Sequence, residues 1–328
     1  MTEKLQTQIG KKVFNTPFFV GSSDLVGNCK EAENVIKFAN GLVGSIIWKS
    51  TTLEAKEGYQ EPRICDFYGG FLVASGMRNI GLPNTIREIK HFKKKYPNQS
   101  VILSIASVDF EDPVKEFVSI TKQILDLEID GIELNLSCPH QVQNEKHQTK
   151  VIAQNADLVG AIVKEVKAVL NSTDKLLIAK LTGWNADISH ISAIAEKNGA
   201  DAITVSNIFP GIGYYTGLKK YQNGFKYEVG EPLLGNFKGG YTGIAMLPAT
   251  LLIVNTVKNT VNIPVIATGG CMSSNDAMIQ TFLAGASAIA SATFYYDENC
   301  CKCRNFSKDL QERSKILQDF YKEKLQNP

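Results

Sequence analysis

Three residues in this sequence could carry chemistry, because each one follows or ends a short apolar run. Lys49 ends SIIWK, Lys180 ends LLIAK, and Cys138 follows GIELNLS. A half-buried ammonium group needs an anion, a polar ring or a reaction intermediate as its partner. A thiol in such a place serves as a base, as a nucleophile or as inert packing. For each lysine, an ion pair with a neighbouring carboxylate is the plainer alternative.

Polar residues follow most of the other apolar runs as well. The sequence ATGG ends one run at Gly270, and SAT ends another at Thr293. Backbone N–H groups of a glycine turn or of a helix N-terminus bind phosphate, although Gly-Gly also serves as a plain turn. We therefore expect a phosphate-bearing cofactor or substrate beside these two runs. The other polar or glycine residues at run ends are Ser50, Asn135, Ser137, Ser206, Asn207, Thr268 and Gly269.

Eight short runs rich in β-branched residues alternate with segments of helical period, and they predict the elements that position these residues. The helical segments include those that begin at Pro113, Val151 and Asp187. Such alternation, with polar residues at the carboxyl ends of parallel strands, predicts a (β/α)8 barrel. The eight predicted strands cover 18–22, 45–49, 101–105, 131–136, 176–180, 202–206, 264–268 and 288–292.

An open, doubly wound sheet is the alternative architecture. No G-x-G-x-x-G opens a helix after the first predicted strand, which favours the barrel. Two stretches, 51–84 and 210–243, are too long for simple connections, and we expect them to cover the carboxyl-end mouth of the barrel. No internal duplication or linker-like composition divides the chain, so we predict one domain over 1–328.

The overall composition argues against several classes of function. Lys and Arg number 35 against 33 Asp and Glu, and a net charge of +2 is too balanced for a nucleic-acid partner. No apolar run approaches the roughly 20 residues of a membrane span, and the first residues lack the apolar core of a secretory signal. These features predict a cytoplasmic protein that works without a membrane or a nucleic acid.

The seven cysteines do not suggest a disulfide framework, and we expect reduced thiols. Cys300, Cys301 and Cys303 lie together in CCKC. Three thiols within four residues, with no nearby fourth Cys or His, do not match the usual spacing of a zinc site, so no metal is expected.

Several motifs, taken in order, resemble the FMN-dependent dihydroorotate dehydrogenases. They are WKSTTLEAKEG, NIGLPN, GIELNLSCPH, IAKLT, KGGYTG and VIATGG. The resemblance runs from residue 16 to about residue 293 and is nearest to the class 1A, fumarate-type enzymes. The pyrimidine domain of dihydropyrimidine dehydrogenase is also similar. The resemblance implies a (β/α)8 barrel, a non-covalent FMN across the barrel mouth, a substrate stacked on the flavin, and a homodimer.

The resemblance also implies a role for each matching residue. Cys138 matches the base that takes a proton from C5 of dihydroorotate while a hydride leaves C6 for flavin N5. Lys180 matches the lysine beside the flavin N1 and O2 edge, and Lys49 matches the lysine that contacts both flavin and pyrimidine. Asn135 and Asn207 match amides that hydrogen-bond the pyrimidine ring, since an amide both donates and accepts. The implied flavin and phosphate contacts are Gly21, Ser22, Lys49, Ser50, Asn135, Lys180, Ser206, Gly239, Gly240, Gly243, Thr268, Gly269, Gly270 and Thr293.

The chain departs from the class 1A pattern in the substrate pocket. Arg78, followed by Asn79, stands where class 1A has a substrate-reading asparagine, and it would add a cationic fork to the pocket. His140 replaces the asparagine of SCPN, as in the dihydropyrimidine dehydrogenase pattern. Ala292 replaces a glycine, and Ile208 replaces a hydroxyl residue. We expect Arg78, Asn79 and His140 to bind substrate, together with Lys49, Asn135 and Asn207.

The expected reaction is the oxidation of (S)-dihydroorotate to orotate in pyrimidine and UMP biosynthesis, with fumarate or another soluble acceptor reoxidising the flavin. The alternative is a related flavin oxidoreductase that acts on a different anionic or dihydropyrimidine-like substrate. A barrel that binds flavin or a phosphate ligand without catalysis is a third hypothesis. The presence of Lys49, Lys180 and Cys138 argues against it, because an inactive lineage loses such residues first.

Overall fold

A computed structural model describes residues 6–39, 43–109, 111–137, 151–184, 186–217 and 225–273, together with 276, 280, 283–292 and 294. The described chain begins with a short antiparallel hairpin, β1 (Thr7–Ile9) and β2 (Lys12–Phe14). Ile9 and Phe14 are buried against the amino-end floor of the barrel interior. The positive φ of 54° at Gly10 makes the tight turn between the two strands.

Eight parallel strands form the closed barrel that the sequence predicts. Along each strand, successive side chains point alternately into the barrel interior and towards its outer face, as in any pleated strand. Phe19, Ile47, Ile102 and Ile178 fill the lower interior. The strands are β3 (Phe18–Val20), β4 (Ser45–Thr51), β7 (Val101–Ile105), β8 (Gly131–Asn135), β9 (Leu176–Lys180), β10 (Ala202–Val205), β13 (Val265–Thr268) and β14 (Ala288–Ser291).

Helices surround the barrel and bury their apolar stripes against the outer faces of its strands. Polar caps fix where several of them begin: the side chain of Asp112 accepts from Lys115 N, that of Asn155 from Leu158 N, and that of Asp187 from His190 N. The helices are α1 (Cys29–Ala39), α2 (Leu82–Lys95), α3 (Pro113–Gln123), α4 (Ala156–Leu170), α5 (Ile188–Lys197) and α6 (Leu247–Lys258).

The two long connections meet in a four-stranded antiparallel sheet. Its strands are β5 (Ile64–Phe67) and β6 (Gly70–Val73) from the first connection, and β11 (Phe209–Gly211) and β12 (Gly239–Gly243) from the second. This small sheet lies beside the mouth, because Ile64, Phe71, Val73 and Thr242 line the cavity there. The prediction that both connections cover the mouth is confirmed.

The three glycines Gly239, Gly240 and Gly243, which the resemblance gives as flavin or phosphate contacts, lie in strand β12. This strand pairs with β6 and β11. A Cβ at Gly239 would lie 2.4 Å from the Val73 carbonyl oxygen, and one at Gly243 would lie 2.5 Å from the Gly70 Cα. Close strand pairing therefore accounts for these two glycines without any ligand.

Candidate active site

A cavity at the carboxyl ends of the strands collects many of the polar residues singled out in the sequence. It holds about 990 Å³ of empty space including its open mouth, which is within the usual range for a small-molecule site. Of the predicted residues, the following line it: Ser22, Lys49, Ser50, Arg78, Asn135, Lys180 and Asn207. Lining residues that the sequence reading does not single out include Ser23, Asp24, Ser75, Met77 and Thr242.

An irregularity in β4 explains how two consecutive residues, Lys49 and Ser50, both reach the cavity. The pairing of β4 with β7 shifts register between Trp48 and Thr51. In a regular strand, neighbouring side chains point to opposite faces, and an extra residue breaks that alternation. The shift lets the Lys49 ammonium and the Ser50 hydroxyl share one face of the barrel mouth.

The side chain of Lys49 is held by contacts at its ammonium group and along its stem. Its Nζ lies 2.8 Å from Oδ1 of Asp24, which opens the short 3-10 helix Asp24–Val26 after β3. Its stem passes Gly27, where an added Cβ would lie 3.4 Å from Lys49 Cδ. Both charged side chains are largely shielded, with 15% of Lys49 and 27% of Asp24 exposed. An ion pair with a carboxylate is the alternative that the sequence leaves open for Lys49, and Asp24 forms that pair. Lys49 also lines the cavity.

Lys180 is also paired with a carboxylate. Its Nζ lies 3.5 Å from Oε1 of Glu133, whose side chain is fully buried inside the barrel. Glu133 lies two residues before Asn135 on β8 and so shares its inward face. Neither carboxylate oxygen of Glu133 makes a hydrogen bond among the described residues. Lys180 is thus the cation that balances this buried charge beneath the cavity.

A chain of hydrogen bonds crosses the cavity floor from β3 to β8. Asn135 Nδ2 donates to Ser50 Oγ at 2.9 Å, and the Ser50 and Ser104 hydroxyl oxygens lie 2.8 Å apart. Ser50 N donates to Ser22 Oγ at 2.9 Å. These contacts hold the side chains of Ser22, Ser50, Ser104 and Asn135 in one connected arrangement.

The amide of Asn207 is engaged by its own protein. Its Nδ2 donates to the carbonyl oxygen of Ser137 at 3.2 Å and to the Ser137 hydroxyl at 2.9 Å. Its Oδ1 accepts from Ile208 N at 2.9 Å. Asn207 therefore anchors the backbone just before Cys138. Cys138, His140 and Thr293 lie outside the described residues, as do the three cysteines of CCKC.

Arg78 stands at the rim of the cavity on a loop that is held on both sides of it. Met77 is buried, and the backbone N–H and carbonyl of Asn79 bond to Lys56 at 3.0 and 2.9 Å. Gly58 permits the close packing, since an added Cβ there would lie 2.8 Å from Arg78 Cβ. The backbone at Arg78 is therefore fixed while its side chain is exposed at the mouth.

Asn79 has a different environment from Arg78. Its Nδ2 donates to Thr52 Oγ1 at 2.9 Å and to the carbonyl oxygen of Met77 at 2.8 Å. Its Oδ1 accepts from Gly81 N at 2.8 Å. Both amide hydrogens are used inside the loop in this conformation, so substrate binding by Asn79 stays a prediction. Its observed contacts hold the loop that carries Arg78.

The glycine turn after β13 packs against the start of α6. Gly270 has a φ of 78°, and a Cβ there would lie 2.5 Å from the backbone nitrogen of Leu247. Gly269 has a φ of 105°. The two glycines let the end of β13 approach a helix N-terminus closely, which is an arrangement that suits an anion. The other predicted contacts Gly21, Ser206 and Thr268 lie at neighbouring strand ends without lining the cavity.

Two described thiols are poor candidates for chemistry. Burial, with a hydrogen bond to Glu33, raises the pKa of Cys29 to about 11. Burial, with the nearby charge of Asp276, raises the pKa of Cys271 to about 12. Both therefore stay protonated at neutral pH, and neither lines the cavity. The described residues include no cluster of three or more His, Cys, Asp or Glu that could hold a metal ion.

Asp24 and Glu133 are the charged residues of the site that the sequence did not single out. Asp24 follows β3 within the polar string GSSD, and Glu133 is the one charged residue of the apolar strand GIELN. Both acidic residues are visible in the sequence, but the sequence does not indicate which lysine each one pairs with. In the part of the chain that the structure describes, no helix has the length and apolarity to cross a membrane.

Comparison with known proteins places these features in a family. Residues 4–313 match the family model of dihydroorotate dehydrogenase. The catalytic subunit of dihydroorotate dehydrogenase B (NAD⁺) from Alkaliphilus metalliredigens is 33% identical over 76% of this chain and 75% of its own length. The corresponding subunit from Bacteroides thetaiotaomicron is 33% identical over 88% and 87%. Dihydroorotate dehydrogenase A (fumarate) from Limosilactobacillus reuteri is 28% identical over 92% and 90%.

Proposed function

The chain belongs to the dihydroorotate dehydrogenase family, oxidoreductases that act on CH–CH bonds, and from this premise we propose that it oxidises (S)-dihydroorotate to orotate in pyrimidine biosynthesis. The observation that carries the proposal is the cavity at the barrel mouth, where Lys49, Lys180 and Asn135 meet. A planar anion with alternating N–H and C=O groups matches these cations and amides.

We propose FMN as the cofactor, and the residues present fit it. A flavin ring has broad apolar faces and a polar edge. The cavity offers apolar side chains from the small sheet, such as Phe71 and Val73, and a polar floor that ends at Lys180. The glycine turn at Gly269 and Gly270 beside the start of α6 suits a phosphate. When bound, FMN would supply the two-electron acceptor that takes a hydride from the substrate.

Each of the chain's own groups then has a defined task. Cys138 Sγ takes the proton from C5 of dihydroorotate, for which the thiol must ionise. With the cofactor bound, the Lys180 ammonium would stabilise negative charge at its polar edge. Lys49 contacts cofactor and substrate, and Asn135 hydrogen-bonds the pyrimidine. Asn207 holds Ser137, and with it the backbone that leads into Cys138.

Fumarate or another soluble acceptor would reoxidise the cofactor. The relatives include both fumarate-type and NAD⁺-type enzymes, so a partner subunit that passes electrons to NAD⁺ is the second candidate route. We also propose that the protein is a homodimer, as the class 1A resemblance implies. Its cytoplasmic location stays a prediction.

Anaerobic titration of the FMN-loaded protein with dihydroorotate tests the proposed reaction. The visible flavin absorbance should bleach on addition of substrate and recover with a competent acceptor. Cys138→Ser should slow the bleaching at neutral pH and regain part of the rate at higher pH, because a hydroxyl is a weaker acid than a thiol. Cys29→Ser, which changes a buried thiol outside the cavity, is the matched control. A flavin that binds but stays oxidised would remove dihydroorotate as the substrate.

A second candidate substrate follows from Arg78, which lies at the cavity rim where the resembling class has an amide. In this reading the same scaffold acts on a different anionic or dihydropyrimidine-like compound, with Arg78 and His140 selecting it. Arg78→Asn should then raise the rate of bleaching by dihydroorotate. Loss of that bleaching in Arg78→Asn would instead support dihydroorotate and eliminate this alternative.

A further inference from the structure

Among the described residues, three cations line the cavity, and they differ in whether a carboxylate neutralises them. Lys49 is paired with Asp24 at 2.8 Å, and Lys180 is paired with Glu133 at 3.5 Å. Arg78 makes no ion pair with any described residue. Lys49, Asp24, Lys180 and Arg78 in the wall, together with the buried Glu133 beneath it, carry one net positive charge. That charge belongs to Arg78.

Asp24 is the residue that sets this charge balance at the cavity mouth. Together with Lys49 and Arg78 it lines both the cavity and an outer groove that runs past Lys56 and Glu57. Without Asp24, Lys49 would present a second uncompensated cation at the same mouth. Lys56 and Glu57 are exposed on the groove, where solvent and salt screen their charges.

The charge of the wall decides which anions can enter it. A monoanion placed against Arg78 leaves the site neutral. A dianion leaves one negative charge uncompensated in a partly dehydrated place, beside the Asp24 carboxylate, and it also loses more hydration on entry. Selection by a repulsive group of this kind lowers the affinity for the unwanted ligand more than for the wanted one.

We propose that Asp24 is a specificity-determining residue that restricts the cavity to monoanions, with Arg78 as the group that binds the ligand's charge. The inference rests on the proposed function, since dihydroorotate and orotate carry one carboxylate each. It goes further in excluding dicarboxylates. Fumarate, a dianion at neutral pH, is by this reasoning a poor ligand. Of the acceptors proposed above, the inference therefore excludes fumarate and leaves another soluble acceptor or a partner subunit that passes electrons to NAD⁺.

Binding of matched ligands to the oxidised, FMN-loaded protein tests this proposal without turnover. Fumarate and its monoamide differ by one charge and have nearly the same shape, and orotate serves as the third probe. Dissociation constants would be measured by calorimetry at pH 7.5 and one fixed ionic strength. The wild-type protein should bind orotate and the monoamide about tenfold more tightly than fumarate.

Three variants separate the role of Asp24 from general effects of charge. Asp24→Asn should tighten fumarate binding about tenfold and change monoamide binding much less. Asp24→Glu keeps the charge and should keep the preference. Glu57→Gln makes the same charge change on the outer groove and should leave the ratio of the two constants within about twofold.

An unchanged ratio in Asp24→Asn, or equal tightening of both ligands, would overturn the proposal. Failure of fumarate to bind Asp24→Asn at all would overturn it as well, because removal of the repulsive charge must admit the dianion. A failure of the proposed function would look different. Dihydroorotate would not bleach the flavin of the wild-type protein and orotate would not bind, whatever the ratio of the dissociation constants for fumarate and its monoamide.

Discussion

At the scale of single residues, the site contains two ion pairs that differ in how deeply they are buried. Lys49 and Asp24 meet at the mouth, where both keep some exposure, whereas Glu133 is fully buried inside the barrel under Lys180. A buried carboxylate with no hydrogen bond of its own depends on its cation for stability. Lys180, which we propose to contact the cofactor, therefore also has a structural role, and mutations at Lys180 would combine both effects.

The buried pair gives a prediction about folding stability. Lys180→Met should lower the free energy of unfolding by about 3–5 kcal/mol, because it leaves the Glu133 charge buried and unpaired. The double change Lys180→Met with Glu133→Leu should recover most of that loss, since no buried charge remains. Urea unfolding of the apoprotein measures both values, so cofactor binding does not enter.

The matched control for this pair is Lys49→Met. It should cost much less, because Asp24, with 27% of its side chain exposed, keeps contact with water. Equal losses for Lys49→Met and Lys180→Met, or no recovery in the double variant, would show that the Glu133 charge does not depend on Lys180.

At the scale of elements, the turn after β13 is placed by its contact with the start of α6. Gly270 combines a left-handed φ of 78° with a backbone neighbour only 2.5 Å from the position of an added Cβ. Gly230 has a similar φ of 93°, but nothing lies within 4 Å of its Cβ position. Comparing the two positions therefore separates the cost of the strained backbone conformation from the cost of steric contact.

Substitution by alanine at these two positions should give different losses of stability. Gly230→Ala should cost about 1 kcal/mol from strain alone. Gly270→Ala should cost about 2–4 kcal/mol, because the turn must also move away from Leu247. Gly270→Ala should in addition weaken FMN binding, as measured by flavin fluorescence on titration. Equal stability losses and unchanged FMN affinity would mean that the turn tolerates the shift and does not contact the cofactor.

At the scale of the whole molecule, the small sheet and its loops expose several large apolar side chains. Tyr214 is 46% exposed and lies beside Phe237, with their ring centroids 6.2 Å apart. Other exposed apolar residues of the same region are Tyr68, Ile212, Phe225, Val229 and Ile244. Clustered apolar exposure is typical of surfaces that bind another protein, which supports this side of the molecule as the face of the proposed homodimer.

Light scattering coupled to size exclusion tests the homodimer directly. The wild-type protein should elute with twice the chain mass of 36.0 kDa. Tyr214→Lys should shift it to the monomer mass, because a buried, unpaired ammonium is costly at an interface. Val13→Lys adds the same charge at the exposed hairpin and should leave the dimer intact. A wild-type monomer would refute the homodimer, and a Tyr214→Lys dimer would place the interface on another face.

The sequence by itself determines the barrel and several of the polar residues at its mouth. Apolar runs that end in Lys49, Asn135 and Lys180 are enough, because the carboxyl ends of parallel strands always meet at one edge. Local patterning also locates the starts of α3 and α5 and the two long connections, whereas α4 begins at Ala156, five residues after the predicted start at Val151. The family follows from motifs that are read along the chain in order.

Only the tertiary structure decides which ion pairs those residues form and which way their side chains point. The register shift in β4, which brings Ser50 to the same face as Lys49, depends on pairing with β7. The partners Asp24 and Glu133 come from other elements, and β12 is a strand because β6 and β11 lie on either side of it. Contacts between distant parts of the chain create these features, so local sequence pattern does not contain them.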